Sequence, residues 1–230
     1  MSVNDLVLVQ GMRDTRGALE RWNADPWPVL RVWAGGALVV ASVLLFAVWA
    51  IASLSPADLT RLGVPGLTED PSIGDVGQIL FRNSLVLALH GFACVAGFIA
   101  GSSLLISAER RTGFSKLVHE KARPIAFAWV GLVTCFSLIT QAYAVGLTGA
   151  QLGVSPGVLV LTILPHAIPE LVALFLPLAA WTIASRRNEW HDLLAATFAT
   201  VAVAIPVLVA AATWEIYVWP HILAAVAPYA

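Results

Sequence analysis

Residues 157–184 read GVLVLTILPHAIPELVALFLPLAAWTIA, an apolar run that contains a histidine, an acid and three prolines. A helix needs about 20 predominantly apolar residues to cross the hydrocarbon core of a bilayer, so this run predicts a membrane span. His166 and Glu170 are four residues apart and would share one face of that helix. A charged side chain at the bilayer centre costs roughly 2.5–3.5 kcal/mol on insertion scales, which makes this pair the first candidate for a functional site.

The prolines of this run, Pro165, Pro169 and Pro177, predict a broken helix. Each lacks an N–H group and leaves the carbonyl four residues earlier without its helical donor. Unsatisfied carbonyls in lipid cost several kcal/mol, so we expect the stretch to face protein or water. Broken helices of this kind build ion and substrate sites in many transporters. The alternative is a structural pair that locks the helix to its neighbours through buried hydrogen bonds.

The composition predicts a membrane protein. Hydrophobic residues make up 59% of the chain and charged residues 12%, about half the share that is usual in soluble domains. The net charge of −1 gives no indication of nucleic acid as a partner. Residues 29–230 are therefore predicted to form an all-α bundle of five transmembrane helices in the lipid bilayer, with spans at residues 29–54, 84–107, 124–147, 157–184 and 193–217.

Residues 1–28 differ from the rest, because Arg13, Arg16 and Arg21 stand among Leu and Trp residues. The pattern predicts a cytoplasmic or interface-lying helix ahead of the first span. A partly ordered tail is the alternative. The N-terminus has no early apolar core with a small-residue cleavage site, so no signal peptide is expected.

The distribution of basic residues predicts the orientation. Eleven of the 13 Lys and Arg residues lie before or at the start of the first span or in the loops after the second and fourth spans, and only Arg61 and Arg82 lie on the other side. Cytoplasmic loops are enriched in Lys and Arg, so we expect the N-terminus inside the cell membrane and the C-terminus outside. An aromatic belt at the outer surface agrees with this orientation and consists of Trp214, Tyr217, Trp219 and Tyr229.

The second span carries candidate packing residues. Asn83 opens it, and Gly91, Gly97 and Gly101 follow. Gly97-x-x-x-Gly101 predicts a face that another helix can approach closely, and it permits a homodimer without requiring one. His90 is expected to form a hydrogen bond to a neighbouring helix rather than to bind a ligand.

A third acid is a candidate partner of the His166 and Glu170 pair. Glu215 lies near the end of the fifth span, and His166 between two acids would relieve the desolvation of both. The H-x-x-x-E spacing excludes an HExxH zinc protease, and the chain has neither a G-x-S-x-G elbow nor a P-loop. We therefore expect no enzyme activity, no cofactor and no metal.

Four of these features resemble the stage II sporulation protein M (SpoIIM) family in the same order, over residues 75–220. They are Asn83, the Gly-rich helix, Pro165-His166-Ala167-Ile168-Pro169-Glu170, which is similar to the family's Pro-His-Gly-x-x-Glu, and the Ala-x-x-x-Glu-x-x-x-x-Pro around Glu215. The chain departs from the family at Ala167, where Gly is usual, and Pro169 is a local peculiarity.

The resemblance implies an integral membrane protein without known catalytic activity. The family's namesake acts as a scaffold that recruits peptidoglycan-degrading partners, and relatives accompany ATP-binding subunits in bacteriocin export and immunity. Two hypotheses follow: a membrane scaffold that holds other proteins, or the permease subunit of an ABC-type exporter with a separate ATPase. Phe114, Lys116 and Leu117, in the segment 107–124, are candidates for docking that cytoplasmic partner, and a solvated charged loop is the alternative.

Overall fold

The computed structural model describes residues 7–55, 65–67, 69–99 and 114–226. Its helices are α1 (Val7–Ala24), α2 (Trp27–Leu54), α3 (Ile73–Phe98), α4 (Phe114–Gln151), α5 (Pro156–Arg187), α6 (Leu193–Tyr217) and α7 (Trp219–Val226), with a 3₁₀ turn at Trp190–Asp192 before α6. Outside the helices, Pro65 and Glu69 form an isolated β-bridge. The predicted all-α fold is confirmed for the described residues.

Four helical segments are long and apolar enough to cross a membrane: Trp27–Leu54, Ile73–Phe98, Pro156–Arg187 and Trp190–Tyr217. They correspond to four of the five predicted spans. The remaining predicted span, residues 124–147, lies within α4, and several side chains of this helix are outside the described residues. A fifth span therefore stays a prediction.

Helix α3 begins well before the predicted residue 84, because a capping box starts it. The Ser72 hydroxyl accepts a hydrogen bond from the Asp75 backbone N–H at 3.3 Å, and Asp75 Oδ2 accepts one from the Ser72 backbone N–H at 2.9 Å. This reciprocal pair satisfies two of the donors that every helix start leaves open. Helix α3 therefore begins at its Ser72 cap, before the apolar run of the second span starts.

Helix α5 lies at the centre of the bundle and packs against α2, α3 and α6. Its inner face buries Phe175, Leu174 and Leu159 almost completely. The prediction of a broken helix is wrong, because α5 is one continuous helix with Pro165, Pro169 and Pro177 inside it. A proline φ near −65° is compatible with a helix, so each proline removes a hydrogen bond without forcing the chain out of helical geometry.

A seam of buried positions on α3 follows a 4-3-4-3 spacing toward the other helices. Its members are Asn83, Leu87, His90, Cys94 and Gly97. This is the 3.5-residue repeat of helices that pack side by side over a long distance. Three members are polar or thiol-bearing, so the seam carries hydrogen-bonding groups into the bundle.

Helix α1 is an ordered helix that packs against α6 and the 3₁₀ turn, so the partly ordered tail is wrong for residues 7–24. Arg21 Nη2 lies 3.1 Å from Asp192 Oδ1 in the 3₁₀ turn. The ring of Trp22 meets that of Trp33 on α2 edge to face, with centroids 5.1 Å apart. Such aromatic pairs contribute about 0.5–1.5 kcal/mol beyond their buried area.

The glycines of α3 differ in how closely other helices approach them. A Cβ atom at Gly97 would lie 2.7 Å from Trp181 Nε1 on α5 and 3.0 Å from Leu193 Cδ1 on α6. A Cβ atom at Gly91 would meet only Thr197 Cγ2, at an ordinary 3.7 Å. Gly97 therefore has the predicted packing role, whereas the space at Gly91 does not require glycine, and Gly101 lies outside the described residues.

We expect Gly97→Ala to destabilise the bundle by about 1–3 kcal/mol, because the added methyl group overpacks the contact with Trp181 and Leu193. Gly91→Ala, on the same helix, is the matched control and should change stability by less than about 0.5 kcal/mol. Reversible unfolding of the purified protein in detergent measures both. Equal stability of the two variants would contradict the packing of α3 described above.

Candidate functional site

The carboxylate of Glu170 is held by an amide from another helix. Asn83 Nδ2 on α3 donates a hydrogen bond of 2.7 Å to Glu170 Oε1 near the middle of α5. Asn83 is 9% exposed, and buried polar side chains are as a rule hydrogen-bonded. The bond joins two residues that the sequence singled out separately, one as a packing residue and one as a candidate site residue.

A second carboxylate lies near this pair. Glu215, close to the C-terminal end of α6, is within electrostatic range of both Glu170 and Arg82. Arg82 is the α3 residue next to Asn83 and is exposed. Glu170 of α5 and Glu215 of α6 are therefore within electrostatic range of each other, and Asn83 and Arg82 of α3 each interact with one of them. We call Arg82, Asn83, Glu170 and Glu215 the carboxylate cluster.

His166 forms no hydrogen bond and no ion pair with either acid. Its side chain is 5% exposed, and its ring meets the indole of Trp219 with centroids 6.2 Å apart. Nδ1 of His166 is buried, and no hydrogen-bond partner for it is present in the part of the chain that the structure describes. Helical spacing placed His166 and Glu170 on neighbouring turns, but it could not show that Asn83 provides the donor for Glu170.

The seam of α3 also binds backbone carbonyls of α5 around Pro177. His90 Nδ1 lies 3.0 Å from the carbonyl oxygen of Leu174, and Cys94 Sγ donates to the carbonyl oxygen of Pro177 at 3.1 Å. A carbonyl only accepts, so the proton of His90 must be on Nδ1. The expected hydrogen bond of His90 to a neighbouring helix is confirmed. The role of Cys94 was not predicted, although its position four residues after His90 on the same face was a usable signal.

Helix α7 is fastened to α5 by a third polar contact. Trp219 Nε1 donates to Thr162 Oγ1 at 3.2 Å, and Thr162 Oγ1 donates to the Leu159 carbonyl oxygen at 2.9 Å. Trp219 was predicted only as part of an aromatic belt. Its indole N–H instead reaches a buried hydroxyl, as buried tryptophans usually require.

The remaining predicted residues lie in different surroundings. Pro177 is buried, but Pro165 and Pro169 are exposed on the outer face of α5, so the expected contact of this stretch with protein holds for only one side of the helix. Phe114, Lys116 and Leu117 belong to the first turn of α4, and their side chains are outside the described residues. Within the described ranges, no three His, Cys, Asp or Glu side chains lie close enough to hold a metal ion together.

No protein-family model, curated protein or solved structure matches this chain. The resemblance to the SpoIIM family therefore rests on the motifs quoted above and stays a prediction.

A double-mutant cycle tests the bond between Asn83 and Glu170. Removing the amide with Asn83→Ala leaves the carboxylate without its donor, which costs about 1–3 kcal/mol for a buried polar group. In the Glu170→Gln background the same change should cost less, with a coupling of roughly 0.6–1.7 kcal/mol, the range found for hydrogen bonds between membrane helices. Unfolding in detergent micelles gives the four free energies.

Glu215→Gln provides the control for this cycle, since Glu215 forms no hydrogen bond with Asn83. Since Glu215 interacts electrostatically with Glu170, strict additivity is not expected, but the coupling of Glu215→Gln with Asn83→Ala should be clearly smaller than that of Glu170→Gln. A coupling with Glu170 no larger than that with Glu215 would contradict a specific bond to Asn83.

Proposed function

We propose that this chain is a non-enzymatic integral membrane protein of the cell membrane that acts as a scaffold or complex subunit, as the SpoIIM resemblance implies. The observation that supports it most is the use of the polar groups within the bundle. Asn83, His90, Cys94 and Trp219 all donate hydrogen bonds to another helix. Side chains used in this way hold helices in a fixed arrangement, which a scaffold needs in order to present a constant surface to its partners.

The lipid-facing surfaces of the spans leave room for membrane partners. Large apolar side chains are exposed on several helices, among them Phe46 and Trp49 on α2 and Phe92 on α3. In a bilayer these surfaces contact acyl chains or other membrane helices. A complex subunit would use part of this area for its partners, and the cytoplasmic ends of α3 and α4 would remain for soluble ones.

We further propose that the N-terminus is cytoplasmic and the C-terminus external. Gly157 and Glu189 flank α5 at its two ends, and both are exposed. In a Cys135→Ser background, a membrane-impermeant maleimide applied to intact cells should label Gly157→Cys, and it should label Glu189→Cys only after permeabilisation. Labelling in the reverse pattern would overturn the orientation, and labelling of both in intact cells would show that α5 does not span the membrane.

The second candidate function is the permease subunit of an ABC-type exporter that works with a separate ATPase. The observation that favours it is the proximity of Glu170 and Glu215, two acids whose mutual repulsion is not relieved by a hydrogen bond between them. Acidic residues within membrane spans often mark ion or substrate pathways. A purely structural cluster needs one acid for Asn83 but does not need a second one beside it.

Glu170→Gln and quantitative affinity purification from native membranes separate the two candidates. A scaffold should retain a stoichiometric partner in the variant, and that partner should lose its membrane localisation when the chain is deleted. An exporter should instead co-purify with an ATPase whose hydrolysis depends on this chain, and Glu170→Gln should abolish export while the protein still accumulates. If no partner follows the chain in either form, the scaffold proposal fails.

A further inference from the structure

Two adjoining cavities lie at the end of the bundle where α5 ends and α6 begins, away from the carboxylate cluster. The larger, of about 890 Å³, runs between α1, α2 and α6, and its walls are mostly apolar, with Leu19, Leu30 and Phe198 among them. The smaller, of about 400 Å³, lies between α2, α5 and the 3₁₀ turn. Trp22, Val29 and Trp33 line both cavities, so the two are neighbours across one edge.

The smaller cavity is basic. Arg21, Arg31 and Arg187 line it, together with the acids Glu189 and Asp192. Arg21 is engaged by Asp192, since Arg21 Nη2 lies 3.1 Å from Oδ1 and 3.2 Å from Oδ2 of that acid. This pair is neutral. Two arginines then face one remaining carboxylate, which leaves an excess of one positive charge.

Arg31 and Arg187 are not engaged within the described ranges. Neither forms a hydrogen bond or an ion pair there, and both are exposed at helix ends, Arg31 in the first turns of α2 and Arg187 at the last residue of α5. By contrast, the one arginine that lines the larger cavity, Arg16, is already bound to Glu20 at 2.8 Å. Of these two cavities, only the smaller one is therefore lined by arginines that have no acidic partner among the described residues.

The surroundings place these cavities at the depth of lipid headgroups. Both arginines stand at the ends of membrane-spanning helices, and Trp27, which is the first residue of α2 and four residues before Arg31, is 70% exposed. Tryptophan is enriched at the boundary between acyl chains and water. A basic pocket between helices at this depth, continuous with an apolar groove, matches the two halves of a phospholipid.

We propose that these two cavities form a binding site for one anionic phospholipid. The phosphodiester lies in the smaller cavity between Arg31 and Arg187, and an acyl chain lies in the groove between α1 and α6. The excess of one positive charge complements the single negative charge of a headgroup such as phosphatidylglycerol. The groove holds the acyl chain by van der Waals packing, and the arginines contribute the headgroup preference.

This site gives α1 a role that does not depend on the proposed scaffold function. Helix α1 forms one wall of the groove, and the Trp22 and Trp33 pair lines both the groove and the basic cavity. A bound lipid would fill the space between α1 and the spans. The bound lipid would therefore stabilise the docking of α1 by mass action.

Lipid-free protein in detergent, titrated with phosphatidylglycerol or phosphatidylcholine of identical acyl chains, tests the proposal by native mass spectrometry and thermal unfolding. We expect one tightly bound phosphatidylglycerol and a weaker affinity for phosphatidylcholine. Arg31→Gln and Arg187→Gln should each lower the phosphatidylglycerol affinity about fivefold, from the attraction typical of one basic residue near an anionic lipid surface. Arg186→Gln is the matched control, because Arg186 is exposed at the same helix end but does not line the cavity, and it should change the affinity less than twofold.

The groove is tested separately with Ala199→Phe, which fills the larger cavity without changing charge. This variant should weaken phosphatidylglycerol and phosphatidylcholine alike, and its unfolding temperature without lipid shows that it is folded. Equal affinity for the two lipids, or equal effects of Arg186→Gln and Arg187→Gln, would overturn the site. Displacement of the lipid by millimolar inorganic phosphate would also overturn it, since it would reveal an anion site that needs no acyl chain.

Discussion

Helix α5 must carry a carboxylate and three prolines through an environment in which water is not available to satisfy polar groups. Every unpaired polar atom there costs several kcal/mol, so the donors have to come from neighbouring helices. Helix α3 provides one for the carboxylate, since Asn83 binds Glu170, and from the same seam His90 and Cys94 bind the carbonyls of Leu174 and Pro177, which are not the carbonyls that the prolines leave open. The register between α3 and α5 is therefore fixed by three polar contacts, which extend from residue 83 to residue 94 of α3 and from residue 170 to residue 177 of α5.

The end of the same seam fixes the distance between the helices. At Gly97 the backbone of α3 comes so close to Trp181 and Leu193 that a methyl group would not fit without a shift. Without a hydrophobic driving force between helices in lipid, close van der Waals packing of this kind and hydrogen bonds between helices hold a bundle together. The hydrogen bonds set the register, and the glycine sets the separation.

The two candidate sites lie at the two ends of α6. Glu215 near its C-terminal end joins the carboxylate cluster, whereas Leu194 and Phe198 near its N-terminal end line the groove beneath α1. The first region contains acids with a partial set of partners, and the second contains arginines without partners beside an apolar groove.

The sequence by itself determined that this protein is all-α and that its long apolar helices belong in a lipid bilayer. The apolar runs require a membrane, because about 20 apolar residues in a helix have no other stable environment in a chain of this size. Local signals also identified Glu170, Asn83 and Gly97 as candidate site or packing residues. An acid and an amide in an apolar helix need hydrogen-bond partners, and a glycine there indicates that another helix approaches closely. The tertiary structure alone decided their partners. Asn83 and Glu170 are far apart in the chain, and only the packing of α3 against α5 brings them within 2.7 Å. The tertiary structure also decided that α5 continues through its prolines and that the His166 ring packs against Trp219. Helical spacing fixes which residues share a face of a helix, but it does not fix which neighbouring helix covers that face.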